Sequence, residues 1–284
     1  MRKKPKSLQQ MEILRLRMPL SKEQQKVFND QKIGFAGERI ADEMIDPKLS
    51  NCIILNDLRL QGNRLCQIYK LIISPTCVYA CEIKNYGGTF IFKENRFYNH
   101  KMHVRDNPFL QLERTEQQLH SVITNFNMPI KSCLLMVNPL FQLHGSSIEM
   151  PLIFSSQIER FTDSLANERH RLTGFHYELA RYLKEAHQEH NPYEQLPAFD
   201  YATLKKGIFC HDCAIEMTKV TSKTFLCRLC GTSHTKQQIV ARSIAELRIL
   251  FGNDKISTQL IQDWTGKHIN RRSIQRTVRR LEQK

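Results

Sequence analysis

The sequence predicts a mixed α/β chain, with a central sheet flanked by helices, then a small four-cysteine unit and a basic helical tail. Three observations predict this. Between residues 33 and 200, short β-like apolar runs alternate with helical stretches, the pattern of a sheet carrying helices on its faces. Two Cys-x-x-Cys pairs follow, 13 residues apart. The charge is also uneven, within a total of 42 Lys and Arg against 28 Asp and Glu. Residues 1–32 hold nine basic and three acidic groups, residues 33–203 hold 17 and 19, and residues 204–284 hold 16 and six. A near-neutral body with two basic ends points to a polyanionic partner.

The 284 residues allow one large domain or several small ones. No apolar run reaches the ~20 residues of a membrane span. The basic start, Met1-Arg-Lys-Lys, lacks the apolar core of a secretion signal, so a cytoplasmic protein without membrane contact is expected. The expected segments are a basic arm and helix over 1–32, a sheet domain over 33–200, a zinc ribbon over 204–236 and a helical domain over 237–284.

The elements follow in order. Ser21 and Gln24 form a Ser-x-x-Gln box that starts a helix, and a second helix begins near Gly34 and carries Gly37-Glu38-Arg39. Strands are expected at Cys52–Leu60, Leu65–Ile73, Cys77–Ile83 and Thr89–Phe92. Asn107-Pro-Phe-Leu-Gln111 leads a helix to about Asn125. Ser132–Val137 and Leu152–Ser155 are further strands, and Asp163–Gln188 is mostly helical. Asn191 to Pro197 reads as a turn-rich linker.

Cys210, Cys213, Cys227 and Cys230 form the two pairs. Two residues between cysteines let both thiolates of a tight turn face one ion, and two such turns supply a tetrahedral Zn²⁺. A duplicated pair exceeds what a redox dithiol needs, and cytoplasmic conditions disfavour disulfides. The four sulfurs fill the shell, so a structural zinc is expected. The remaining cysteines, Cys52, Cys66, Cys77, Cys81 and Cys133, read as small buried hydrophobes.

The tail reads as three helices. The first runs from Gln237 to Phe251, closed by Gly252-Asn-Asp. Ser257 caps Thr258–Trp264, Gly266 makes a turn, and a last helix starts near Ser273. Ile274, Val278 and Leu281 share one face of it. Arg272, Arg276 and Arg280 recur at every fourth position on another, flanked by Arg271, Gln275 and Arg279. A helix, a glycine turn and an Arg-rich helix match a helix-turn-helix, whose second helix would enter a major groove.

Glu82-Ile-Lys84 carries the chemistry of the sheet domain. The two side chains lie on one strand face, where a carboxylate can hold Mg²⁺ and a lysine can stabilise charge in phosphodiester hydrolysis. On a solvated strand face the same pair is only a common same-face ion pair. The set Gly37-Glu38, Glu82-Ile-Lys84-Asn-Tyr-x-Gly88 and Asn107-Pro-x-x-Gln111 resembles the nuclease-related domain family, NERD, from about Ile33 to Val137. The zinc ribbon and basic tail look like additions seen on bacterial members. The resemblance implies a fold of the PD-(D/E)xK nuclease type and a role in DNA processing. It casts Glu38 as the helix-borne acid, Glu82 and Lys84 as the strand pair, and Gln111 as a later polar group. Glu82 would be a ligand for Mg²⁺ or Mn²⁺.

The chain departs from the family at Tyr69. There the pattern places an aspartate one strand before Glu-x-Lys. A neutral phenol is a poor Mg²⁺ ligand. Asp57, on the preceding strand, is a possible substitute. Three readings follow: a DNA-binding protein with an incomplete metal site; an active Mg²⁺-dependent nuclease using Glu38, Glu82 and Lys84; or a zinc-stabilised regulator or scaffold without catalysis.

Overall fold

The computed structural model describes residues 2–189, 197–252 and 256–283. The elements in chain order begin with α1 (Lys6–Leu14), α2 (Lys22–Ile45), β1 (Ile53–Gln61), β2 (Leu65–Ile73), β3 (Val78–Lys84), β4 (Gly88–Lys93), β5 (Arg96–Asn99) and β6 (Val104–Arg105). Next are α3 (Pro108–Ile123), β7 (Ile130–Met136), β8 (Phe141–His144), β9 (Leu152–Phe154), α4 (Ile158–Ala166) and α5 (Gly174–Glu185). The last are β10 (Thr218–Lys219), β11 (Thr224–Leu226), β12 (Ser233–Thr235), α6 (Lys236–Phe251), α7 (Thr258–Trp264) and α8 (Arg271–Glu282). No helix among the described residues is long and apolar enough to cross a membrane.

The chain forms two compact units. One is built from residues 1–2 and 32–193, the other from residues 3–31 and 194–284. The expected linker at 191–197 lies outside the described residues except for Pro197, as do Asn253 and Asp254 after α6.

The first unit is a mixed α/β domain. Its five-stranded sheet has the order β1-β2-β3-β7-β9. β1, β2 and β3 pair antiparallel, whereas β7 joins β3 parallel with Glu82 opposite Leu134, and β9 joins β7 parallel. A parallel return needs a crossover, and α3 supplies it. Val78, Ala80, Leu119, Leu179 and Leu183 pack on one face of the sheet. Ala41 and Ile45 of α2 pack with Cys81, Ile83 and Ile158 on the other. A second, four-stranded sheet, β6-β5-β4-β8, branches off after β3. Its core holds Phe97 and Phe141, and Phe90 stacks on Phe97 with ring centroids 5.1 Å apart.

The second unit joins a small three-stranded sheet, β10-β11-β12, to α1, α6, α7 and α8. Leu14, Phe225, Cys227, Leu247, Trp264 and Ile274 share its core. A buried polar knot lies within it. Glu246 accepts from Trp264 Nε1 at 2.7 Å and from Arg17 Nη2 at 3.3 Å, and lies 3.0 Å from His211 Nε2.

Several elements differ from expectation. Residues 1–32 read as a basic arm before the Ser21 helix, yet α1 buries Leu8, Met11, Ile13 and Leu14. Three intervening polar positions, Gln9, Gln10 and Glu12, masked that apolar face. The two helices expected on either side of Gly34 are one, α2, because Gly34 stays in helical register. The Ser21–Gln24 box is formed reciprocally, at 2.9 and 3.2 Å. The expected helix over 163–188 is broken between Ala166 and Gly174. α8 starts at Arg271 rather than Ser273, because Asn270 is its N-cap and accepts from Ser273 N at 2.9 Å.

Candidate functional site

In the first unit, β3 presents Glu82 and Lys84 on one face. Lys84 Nζ lies 2.8 Å from Glu82 Oε1 and donates to Gln111 Oε1 at 3.0 Å. Gln111 is set by the start of α3, where Asn107 caps the helix by accepting from Phe109 N and Pro108 fills the first helical turn. Burial lifts the Glu82 carboxyl above its ordinary range, opposed by Lys84. Burial works against the Lys84 ammonium too, but Glu82 outweighs it and Lys84 is raised. Lys84 is therefore a fixed positive charge rather than a proton acceptor.

Glu38 comes from α2, whose Ala41 and Ile45 pack on Cys81 and Ile83. Those residues alternate with Glu82 and Lys84 along β3. Glu38 and Glu82 repel one another. Burial pushes the Glu38 carboxyl up to about 7, with Arg2 opposing and Asp57, Asp42 and Glu82 adding to the rise.

The motif glycines have steric reasons. A Cβ on Gly37 would lie 2.5 Å from the Asn85 Cβ, so only glycine lets α2 approach the turn after β3. There Asn85 Nδ2 donates to Ile33 O at 3.1 Å. Gly88 has φ +91°, and Tyr86 packs on Phe90 at 5.4 Å.

Tyr69 lies among the acids. Burial, then Glu82, Glu38 and Asp57, hold its hydroxyl far above its ordinary range, so it stays a neutral phenol. Asp57 is engaged elsewhere. It has φ +56°, accepts from Gln67 Nε2 at 2.6 Å and faces Arg59 at 3.5 Å.

Three residues of this site gave no motif: Arg2, Asp42 and Lys70. Arg2 donates to both Asp42 oxygens at 3.0 Å and to Tyr69 O at 3.0 Å, and its Nη1 lies 3.3 Å from Glu38 Oε2. Lys70 contacts Asp42 at 2.7 Å and Asp46 at 2.6 Å, with its side chain 0% exposed. Asp42 was legible as the residue four beyond Glu38 on one helix face. Arg2 was not, since nothing local links it to α2.

Mg²⁺ or Mn²⁺ would compete here with cations that the acids already face. Glu38 and Asp42 face Arg2, Glu82 faces Lys84, and Tyr69 is neutral. Among the described residues, the four cysteines are the only three-or-more group of His, Cys, Asp and Glu whose ligand atoms all lie within 4.8 Å of one another.

Those cysteines do fit zinc. Bonds of ~2.3 Å to a tetrahedral ion give sulfur–sulfur edges of about 3.8 Å, and Cys210 and Cys230 Sγ are 3.7 Å apart. Each pair closes a tight turn. Ala214 N donates to Cys210 O and Gly231 N to Cys227 O, both residues having positive φ, +57° and +74°. The four-cysteine cluster is compatible with a zinc ribbon and could bind zinc.

Arg271, Arg272, Gln275, Arg276, Arg279 and Arg280 are all exposed on α8, and none forms an ion pair among the described residues. Ile274 and Thr277 are buried on the opposite face, while Leu281, expected beside them, is exposed.

Residues 33–137 match the nuclease-related domain, NERD. The nuclease-related domain spans Glu38, Tyr69, Glu82, Lys84 and Gln111, and leaves Arg2, the four cysteines and α8 outside it. The mixed sheet flanked by helices agrees with a nuclease-like fold. No curated protein and no solved structure matches the chain.

Proposed function

We propose that this protein binds nucleic acid, DNA foremost, and that its nuclease-related domain is a core whose metal site is incomplete. The observation that carries this reading is Tyr69, a half-buried neutral phenol where the family pattern places an aspartate. The exposed row on α8 supports the binding half. Its arginines reach phosphates, and Arg271, Arg272 and Gln275, near the helix start, are placed to reach base edges if α7 and α8 dock as a helix-turn-helix. A structural Zn²⁺ on Cys210, Cys213, Cys227 and Cys230 would brace the unit that carries α8.

Affinity for a DNA duplex, measured against salt, tests the binding half. A steep fall is expected, because phosphate neutralisation releases counterions. Replacing Arg272, Arg276 and Arg280 together by Ala removes about three phosphate contacts, so the log–log salt slope should drop by roughly three. Unchanged affinity refutes docking through α8.

A second reading, an active Mg²⁺-dependent nuclease, is favoured by the intact Glu82–Lys84–Gln111 chain. Plasmid and linear DNA cleavage with Mg²⁺ and with Mn²⁺ separates the two. Cutting by the wild type that Glu82→Ala abolishes establishes the enzyme. No cutting by the wild type, with activity appearing in Tyr69→Asp, establishes the incomplete site.

A further inference from the structure

The acids of the nuclease-related domain need a counter-charge, and the chain provides one. Glu38 and Asp42 lie one turn apart on α2. Two carboxylates held this way attract a cation strongly at low effective dielectric. The Arg2 side chain is 2% exposed, and the Glu38 and Asp42 side chains are 13% and 16% exposed. Arg2 holds Asp42 with two parallel N–H···O bonds and spans to the Tyr69 carbonyl. Its Nη1 is buried 3.3 Å from Glu38 Oε2 without hydrogen-bond geometry, and Glu82 Oε1 likewise has no hydrogen bond. The contact to Glu38 is thus one of charge, as between a carboxylate and an ion.

The geometry points to Arg2 as a resident cation of this acid cluster, occupying with its guanidinium the charge position that a divalent ion would take between Glu38 and Asp42. Arg2 and Lys70 together balance the α2 face, so the acids persist without metal. This rests on the reading of an incomplete metal site, and extends it by naming what keeps the ion out. A planar guanidinium donates in a fixed fork and accepts nothing, so it satisfies Asp42 and the Tyr69 carbonyl together in a way a spherical ion would not.

Mn²⁺ binding to the zinc-loaded, full-length chain without nucleic acid tests this, with free Mn²⁺ read by electron paramagnetic resonance. Arg2→Met keeps the buried stem and removes the charge. It should gain a Mn²⁺ site at least about tenfold tighter than any in the wild type, since one positive charge has left the cluster. Adding Glu38→Gln to Arg2→Met should abolish that site. Arg2→Lys, which keeps a cation, should bind no better than the wild type. Equal, Glu38-dependent Mn²⁺ binding by wild type and Arg2→Met overturns the proposal, as does a folded Arg2→Met that gains no site. If Arg2→Met fails to fold, rescue by Arg2→Lys supports a requirement for charge, and failure of both variants overturns it in favour of packing alone. DNA affinity enters none of these readouts, so the binding reading and this one can fail separately.

Discussion

Deprotonation of Glu38 should make the first unit lose stability as pH rises, opposite to the usual behaviour of a salt-bridged carboxylate. Burial raises the folded-state value to about 7, from an ordinary 4.5 in the unfolded chain. Between those values the folded state binds the proton that the unfolded state releases, so stability is full below about 4.5 and declines until about 7. At ~1.4 kcal/mol per pH unit the whole interval corresponds to about 3 kcal/mol, of which about 2.5 falls between roughly pH 5 and pH 8. Glu82, also raised by burial, adds in the same direction. Glu38→Gln should therefore flatten the profile by about 2–3 kcal/mol without abolishing it. The measurement is hydrogen exchange with mass spectrometry on β2 and β3 peptides in urea, at several pH values. That readout is confined to the first unit, whereas zinc–thiolate chemistry at low pH acts on the second. An identical slope in wild type and Glu38→Gln would refute a raised Glu38 and the burial argument behind it.

Other expectations follow from named contacts. Gly37→Ala should destabilise the first unit by about 1–2 kcal/mol, because the new Cβ meets the Asn85 Cβ at 2.5 Å. Gly34→Ala, with nothing within 4 Å, should stabilise it by about 0.5–1 kcal/mol, and urea midpoints on the pair would check both. Ala214→Gly relieves a positive φ in the first cysteine turn and should add about 0.5–1 kcal/mol, seen as slower zinc loss to a chelator. Glu246→Gln should cost the second unit about 3–5 kcal/mol by leaving Arg17 buried beside a neutral group, read in urea by the fluorescence of Trp264, the chain's one tryptophan. Burial opposes the Glu246 charge, but His211, Arg17, Arg242 and Trp264 hold its carboxyl at about 2, so its contribution is present above about pH 4.5 and is lost as pH falls from 4.5 towards 2.

Local chemistry was legible where residues act on near neighbours. The alternation in Glu82-Ile83-Lys84 placed both charges on one face, and Asn107-Pro108 fixed where α3 begins. Cysteine spacing brought four sulfurs together, and every-fourth-residue arginines foretold an exposed row on α8. What stayed hidden depends on distant partners. Arg2 reaches Asp42 across 40 positions, which no periodicity records. β5, β6 and β8 have two to four residues each, too few for an alternation to show. The approach of Glu38 to Tyr69 depends on α2 packing on Cys81 and Ile83, a tertiary choice that neither segment announces.

The parallel seam between β3 and β7 also sets an order of assembly. β1, β2 and β3 meander through short connections and can pair from local contacts alone. β7 must wait for residues 85–129, which include β4–β6 and α3, to be threaded between it and β3. The meander that carries Tyr69 and Glu82 should therefore form early in folding. β7 and β9 should close the sheet late, so substitutions in β7 should chiefly speed unfolding, whereas those in β2 slow folding.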